Sequence, residues 1–409
     1  MIPTEMSKSR RTEWRPIPGH DLKAWLPTLS LSFAAFIFVT SEFMPVGLLP
    51  DIARGLGRSE SYTGLMVTAY AWVVALLSLP LTVLSARLER RRLMLVLLGV
   101  FVVGNVLSGL APNFQLLVAA RICVALAHSV FWAIATPLAA RTAPYGKRGR
   151  ALGLIITGTS LATILGVPLG TMLGHAMGWR LSFVAIAGVA VLVMLAILRL
   201  LPLLPSSNAG SLRSLPALLR RPALLKIYLL TVLTVTGHFT AYTYITPFLL
   251  DVGGLAAPTV VLLLLFLGGA GVPGSWLGGK YAEGSPFRLQ TIGLAGVAAC
   301  LALLAWASAS FQLMLLLCLA WGMAMTVTTL VYQTRVLNLA PDAVDVAMAI
   351  YSGIFNVGIG GGALLGSLVS GDSHLNDVGY VGAGVVCLAL LLALFMLARS
   401  GRENPPGST

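Results

Sequence analysis

Apolar residues along this chain come in runs of about 20, the first opening near Trp25 and the last closing near Leu397, with polar stretches between them. A run of that length, wound into a helix, crosses the roughly 30 Å of hydrocarbon in a bilayer. The pattern predicts an all-α membrane protein with twelve transmembrane helices over residues 25–49, 63–84, 94–111, 115–138, 151–173, 181–201, 227–250, 259–279, 289–307, 312–334, 346–370 and 379–398. The first run is too long for the core of a signal peptide and no plausible cleavage site follows it, so it is expected to remain a helix.

Composition supports the same class. Of 409 residues, 57% are hydrophobic and 10% charged, against roughly 25% charged in a soluble domain, and a water-soluble fold of this length could not cover itself. The net charge of +13 does not point to nucleic acid, because the basic residues sit in short loops beside the spans instead of on one domain. Their distribution gives an orientation. With both termini cytoplasmic, every Lys and Arg falls on the inner side except Arg54, Arg58 and Arg180 in outer loops and Arg121 inside a span, as the inside-positive rule requires. A multi-pass protein of a bacterial inner (plasma) membrane is expected. Cys123, Cys300, Cys318 and Cys387 sit singly in apolar runs without disulfide or metal-ligand spacing, and no metal is expected.

Residues 202–226 are polar and basic and contain Pro and Ser, unlike the short loops elsewhere. They divide the chain into a cytoplasmic tail (1–24), a six-helix bundle (25–201), a cytoplasmic linker (202–226), a second six-helix bundle (227–398) and a final tail (399–409). The two bundles repeat each other weakly. Phe114-Gln115-Leu116 and Ala143-Pro144 recur as Phe311-Gln312-Leu313 and Ala340-Pro341, shifted by 197, and Val39-Thr40-Ser41-Glu42-Phe43 recurs as Val235-Thr236-Gly237-His238-Phe239, shifted by 196. Parallel repeats of this kind place a substrate site where the halves meet near the midplane, and this one makes Glu42 and His238 pseudo-symmetry mates.

A charge within hydrocarbon marks a pathway or a partner. Glu42 and Arg121 are the acid and the base that lie well inside spans, at similar depth in the outer half. Neighbouring helices would let them pair; burial favours the neutral acid and a guanidinium favours the carboxylate, so a change in their spacing moves a proton. A permanent structural ion pair is the other outcome. His128, seven residues after Arg121, shares its helix face, and its ring can bind substrate, relay protons or simply bond a neighbouring helix. His238 with Tyr242 and Tyr244, Asn356 one turn after Ser352, and Trp72, Trp132 and Trp321 supply aromatic faces and scattered hydrogen-bond groups suited to a sugar-like or amphipathic solute. Helix packing alone also accounts for each aromatic. Gly158, Gly166, Pro168, Gly170 and Gly174 form Gly-x7-Gly-Val-Pro-Leu-Gly-x3-Gly, a segment able to bend or seal against a close neighbour at the outer end of the cavity.

Together these residues resemble the major facilitator superfamily, in particular its proton-antiporting efflux branch. The fifth-span pattern resembles that branch's antiporter motif, and Arg121 resembles the arginine of its fourth-span motif, with Val124 and Ala125 where Gln and Gly are usual. Thr40-Ser41-Glu42-Phe43-Met44-Pro45-Val46-Gly47-Leu48-Leu49 resembles its first-span motif. A closer resemblance, over about residues 24 to 395, is to sugar efflux transporters of the SotB type: Tyr70-Ala71-Trp72-Val73-Val74-Ala75-Leu76, Arg221-Pro222-Ala223-Leu224, Thr240-Ala241-Tyr242, Asp345-Val346-Ala347-Met348-Ala349 and Ser352-Gly353-Ile354-Phe355-Asn356-Val357-Gly358-Ile359-Gly360. The second loop has the basic cluster of the superfamily's inner gate in Arg87, Arg90, Arg91 and Arg92, but Ala86 replaces its aspartate and Glu89 its glycine. Either Glu89 acts as the acidic partner or the cluster serves only orientation, and the latter is expected.

The resemblance implies a monomeric secondary transporter in the lipid bilayer that exports sugars or sugar-like compounds (arabinose, lactose, thiogalactosides) by alternating access, with protons as coupling ion and no other cofactor. Export of a drug such as an amphenicol is the alternative. An intramembrane enzyme would need paired catalytic groups facing one cavity, and ATP-driven transport a Gly-rich phosphate loop; neither pattern is found. A passive channel or receptor remains as a competing class.

Overall fold

The computed structural model describes residues 22–85, 87–145, 147–205, 215–281, 285–371 and 374–403. Most of the predicted N-terminal tail, the middle of the linker, Ala86 and the last residues of the C-terminal tail lie outside the described residues. All regular structure described is helical. Among the described residues eleven helices are long and apolar enough to cross a membrane, and the shorter apolar helix Pro286–Ala302 makes a twelfth.

In chain order, α1 is Leu26–Gly47, α2 Glu60–Leu84, α3 Arg90–Leu110 and α4 Phe114–Thr142. Next, α5 comprises Arg148–Leu161 and Val167–Met177 joined by a π-helical turn, and α6 is Trp179–Leu200. In the second half α7 is Pro222–Tyr242, α8 comprises Ala257–Gly269 and Gly271–Tyr281, α9 is Pro286–Ala302, α10 Phe311–Leu339, α11 Val344–Ser370 and α12 Val378–Glu403. Most boundaries shift by a few residues from the sequence pattern, the seventh helix ending at Tyr242 and the tenth running on to Leu339, and three differences have a local cause or a break. The first helix stops at Gly47 and restarts as Leu49–Gly55, whose first turn holds Pro50. The seventh begins five residues early, because Pro222 at its first turn is preorganised for a helix start. The ninth breaks at Leu303 and resumes over Leu304–Ala307.

Buried apolar residues form two cores. One runs from Leu31 to Leu201 within the first six helices. The other runs from Leu218 to Ala393 and takes in Val46, Val67 and Ala71 of the first half. Each half thus has its own core, and on the first-half side α1 and α2 contribute to the second.

Glycine spacing sets how the inner helices dock. Along α5, Gly158 lies against Ser32, Gly166 against Thr40, Gly170 against Met44 and Gly174 against Leu48 of α1. The intervals of eight, four and four residues match on both helices, so the two run parallel in one register with backbones in close approach. A side chain at Gly158 would strike the Ser32 carbonyl, and one at Gly166 the Thr40 hydroxyl. The second half repeats the device: Gly358 meets Val235, Gly362 the Thr236 carbonyl and Gly366 the Thr240 carbonyl of α7. Thr40 and Thr236, like Gly166 and Gly362, are 196 positions apart, so the weak sequence repeat is also a repeat of packing. After α5, Gly178 takes a φ of 94°, a conformation that favours glycine and lets α6 turn straight back.

Between the halves, α2 and α11 run antiparallel. The Ser367 hydroxyl donates to the Ser61 carbonyl (2.8 Å). Further along, Thr68 Oγ1 donates to the Gly360 carbonyl (3.1 Å) and Trp72 Nε1 to that of Val357 (3.4 Å). The Val167–Met177 part of α5 packs on the Ala257–Gly269 part of α8, whereas no comparable packing joins Arg148–Leu161 to Gly271–Tyr281 among the described residues. The halves are closed at the end bearing Ser61 and Ser367 and less joined at the end bearing the basic loops.

If α1 depends on the α5 glycines, Gly158→Leu is expected to lower stability by about 1–3 kcal/mol, the usual cost of overpacking. Gly153→Leu, where a side chain meets open space, is expected to leave the thermal midpoint of the purified protein nearly unchanged.

Candidate functional site

The site starts from a missing hydrogen bond. Pro45 lies inside α1 and has no N–H, so the carbonyl of Ser41, four residues earlier, lacks its helical donor. Arg121 of α4 fills the gap: Nη2 donates to that carbonyl (2.8 Å) and Nη1 to the Ser41 hydroxyl (3.0 Å). The hydroxyl passes its own hydrogen to Asn105 Oδ1 (2.8 Å), whose amide nitrogen is tied to the Phe101 carbonyl in α3. The guanidinium carbon also lies 4.7 Å from the ring centre of Tyr70 and 5.5 Å from that of Phe183. At 1% exposure, Arg121 spends both terminal nitrogens on neutral oxygens and lies against aromatic faces, while its Nε has no hydrogen-bond partner.

The expected direct Glu42–Arg121 ion pair is therefore not formed, because Pro45 offers the arginine a nearer carbonyl. Glu42 instead faces a small cavity where the halves meet, lined by Phe43 and Pro45 of α1, Met66, Val67 and Tyr70 of α2, Arg121 of α4 and Ile359 of α11. Its Oε2 lies 3.8 Å from Nε2 of His128. That imidazole is held on both nitrogens. Trp132 Nε1 donates to Nε2 (2.7 Å), and an indole N–H can only donate. Nε2 is thus an acceptor, the ring is neutral with its hydrogen on Nδ1, and Nδ1 donates to the Tyr70 hydroxyl oxygen at 2.8 Å.

Across the seam, Phe43 stacks on Phe239 with ring centres 5.9 Å apart. These two residues are related by the repeat and adjoin Glu42 and His238. In the second half, Trp321 Nε1 donates to His238 Nδ1 (3.0 Å), and the Tyr242 ring stacks on the imidazole at 5.2 Å. Each half therefore carries a histidine fixed by an indole N–H. Asn356, one turn from Ile359 on α11, donates from its amide nitrogen to the Ser352 carbonyl (3.0 Å), while its buried Oδ1 has no hydrogen-bond partner.

Two residues expected at the site lie elsewhere. Tyr244, fully buried, sits at the closed end with its hydroxyl 3.3 Å from the Ser61 carbonyl and 3.1 Å from that of Ala363, so it seals α2 to α11. Trp72 covers Gly360 on the same seam. Two helical positions amount to about 200° of rotation, and it is Tyr70 that faces the cavity. Sequence reasoning passed over Tyr70, Ser41 and Asn105. A lone Asn in an apolar run and a Pro four residues after a Ser were the available signals.

The glycines of the fifth-span pattern dock α1, neither they nor Pro168 line the cavity, and a π-helical turn at Ala162–Gly166 precedes the proline. In the second loop Glu89 has a specific task, contrary to the expectation that the cluster serves orientation alone. Its carboxylate accepts from the N–H groups of Arg91 and Arg92 (both 2.9 Å), capping α3, and from that of Leu204 (2.7 Å) at the start of the linker. The Arg90 N–H donates to the Leu204 carbonyl (3.0 Å), the Arg91 side chain bonds the Leu198 carbonyl, Arg141 bonds that of Pro205, and Arg87 is exposed. At the linker's far end Arg221 forms a two-point pair with Asp342 (2.8 and 2.6 Å). Both ends of the linker are thus tied to their own halves.

Two six-helix halves closed at one end over a buried acid, two fixed histidines and an unpaired amide define a membrane-embedded secondary transporter and not an enzyme. Residues 31–352 match the Major Facilitator Superfamily, and the chain belongs to that family. Its fold is similar to the crystal structure of a bacterial homolog of the human lysosomal transporter Spinster, in an inward-facing and unoccupied conformation, with a TM-score of 0.67 and 15% identity over 93% of this chain and 96% of that one.

Burial pushes the Glu89 carboxyl up, but its three backbone N–H bonds and the nearby Arg92 outweigh this and hold it below the usual carboxylate range. A depressed folded value means the stabilisation is present above the unfolded pKa and is lost as pH falls through the folded one. Glu89→Ala is expected to cost about 1 kcal/mol at pH 7, as for a lost helix cap. The gap in thermal midpoint between variant and parent should close as pH drops below about 4.

Proposed function

We propose that this transporter exports sugars or sugar-like solutes in exchange for protons, with Glu42 as the proton carrier, across a bacterial inner membrane with both termini in the cytoplasm. The observation that carries this is the place of the Glu42 carboxyl. It lies in a cavity at the seam between the halves, beside a neutral imidazole, while the one arginine in reach is engaged by Ser41. A carboxyl with a guanidinium nearby but not hydrogen-bonded to it, on a surface that opens and closes, can load and release a proton as the halves rock. The inside-positive rule would put the less joined end inward, which fits an inward-facing form. The Spinster homologue, described as inward-facing, supports that view.

The solute class rests on groups around the seam, outside the small cavity itself. Tyr242, Trp132 and Trp321 offer aromatic faces, and Asn356 Oδ1 offers a buried acceptor that a hydroxyl donor would satisfy. Fixed donors and acceptors among aromatic rings suit a polyhydroxylated ring with one apolar face.

In liposomes with an imposed pH gradient, Glu42→Gln is expected to abolish uphill transport while preserving solute exchange. Full uphill transport by that variant would remove Glu42 from the mechanism. A panel of arabinose, lactose, a thiogalactoside and an amphenicol separates sugar from drug export. For the transported solute, Asn356→Leu is expected to raise KM about tenfold, the effect of one lost hydrogen bond.

A further inference from the structure

His128 Nε2 has one lone pair, and two groups lie within reach of it. The Trp132 N–H holds it at 2.7 Å; the Glu42 carboxyl stands off at 3.8 Å. While the indole donates, Nε2 cannot receive a proton from Glu42, because one lone pair accepts one hydrogen. The other nitrogen is committed to Tyr70. Facing this ring are Glu42 from α1, Tyr70 from α2 and Trp132 from its own helix, with Phe38 edge-on at 5.9 Å and Arg121 over the Tyr70 ring.

Trp132 lies one turn nearer the less joined end than His128 and is half-buried, whereas His128 is 2% exposed. A solute entering from that end meets the indole before the acid. From this geometry we infer that Trp132 is an interlock between solute and proton: a solute oxygen that accepts the indole N–H frees Nε2, and Nε2 then takes the proton of Glu42. In that step the Glu42 O–H bond breaks and an Nε2–H bond forms. Glu42 becomes a carboxylate beside an imidazolium whose Nδ1–H still rests on Tyr70, and the proton leaves from Nε2 to water on the open side. Without solute, the indole keeps the lone pair blocked and the proton stays on the acid. Trp132 acts here as a positioning residue, and the solute class it requires is one with a hydroxyl or ether oxygen acceptor. The inference rests on the antiport proposal and adds the element that ties proton release to loading.

The test uses the full chain labelled with ¹⁵N-histidine in phosphatidylethanolamine–phosphatidylglycerol liposomes, with His128→Gln identifying the His128 signals and no solute added. In the parent, His128 should give one protonated and one bare ring nitrogen. Trp132→Phe, which deletes the N–H and keeps an aromatic ring, should turn this into the two protonated nitrogens of imidazolium. It should also speed dissipation of an imposed pH gradient about tenfold, the weight of one net hydrogen bond. Trp132→Leu should give the same two readouts, which keeps the test open if the first variant is not recovered. Adding Glu42→Gln should reverse both, since the proton donor is gone. Parental ring signals in Trp132→Phe, or a leak that survives Glu42→Gln, would overturn the interlock. Because the ring signals are read without transport, they fail independently of the antiport proposal, which falls only if Glu42→Gln still drives solute uphill.

Discussion

An arginine in hydrocarbon has five N–H donors and no water to receive them, and the centre of this molecule is arranged around how one such residue is satisfied. Pro45 cannot donate to Ser41, and the carbonyl left over is what Arg121 binds. That contact fixes α4 against α1 at the depth of Glu42. It also determines what Glu42 is free to do, since a guanidinium spent on a backbone carbonyl no longer neutralises the adjacent side chain directly. The proline is thus a local defect in one helix and, through the arginine, the reason a carboxyl at the seam between the halves lacks a fixed partner.

The same helix is gripped from its other side by glycine. Ser32, Thr40, Met44 and Leu48 on α1 face Gly158, Gly166, Gly170 and Gly174 on α5, so α1 and α5 behave as one body with matched intervals. The equivalent pair α7 and α11 uses Gly358, Gly362 and Gly366. Rigid pairs inside each half suit a transporter whose motion is between halves. Across the seam, side-chain to carbonyl bonds of Ser367, Tyr244, Thr68 and Trp72 accompany the apolar contacts of Val46, Val67 and Ala71 with the second core. Glu89 and Arg221 tie the ends of the linker to their own halves, which keeps the connection from resisting that motion.

Much of this was legible in the sequence because hydrocarbon permits so few solutions. The apolar runs gave the helices, and the mid-span charges gave Glu42 and Arg121. The recurrence at 196 paired Glu42 with His238, and the structure adds the Phe43–Phe239 stack and the shared glycine docking at the same offset. What failed to come through depends on side-chain direction. Trp72 and Tyr70 are two residues apart on α2, and composition favours the larger ring, yet rotation along the helix puts Tyr70 toward the cavity and Trp72 on the seam. Tyr244 reads as a cavity residue until the break after Tyr242 carries it to the closed end. The ion pair was inferred from depth alone, and depth says nothing about which oxygen is nearest.

The two histidines show how far the repeat extends and where it stops. Both accept an indole N–H on one ring nitrogen, yet through different atoms: Nε2 of His128 from a tryptophan on the same helix, and Nδ1 of His238 from one on α10. In the first half the acceptor nitrogen is the one nearest an acid, whereas in the second its neighbours are Phe239 and Tyr242. The halves thus share a scaffold and differ in chemistry. Under the proposed antiport, proton transfer would use the acid and base of the first half, Glu42 and His128, and solute recognition would draw on Trp132 of that half together with groups on α7, α10 and α11. Because Glu42 and His128 sit on one half and Asn356 on the other, rocking changes their separation, which under the proposed antiport is the geometric condition for solute and proton to be coupled.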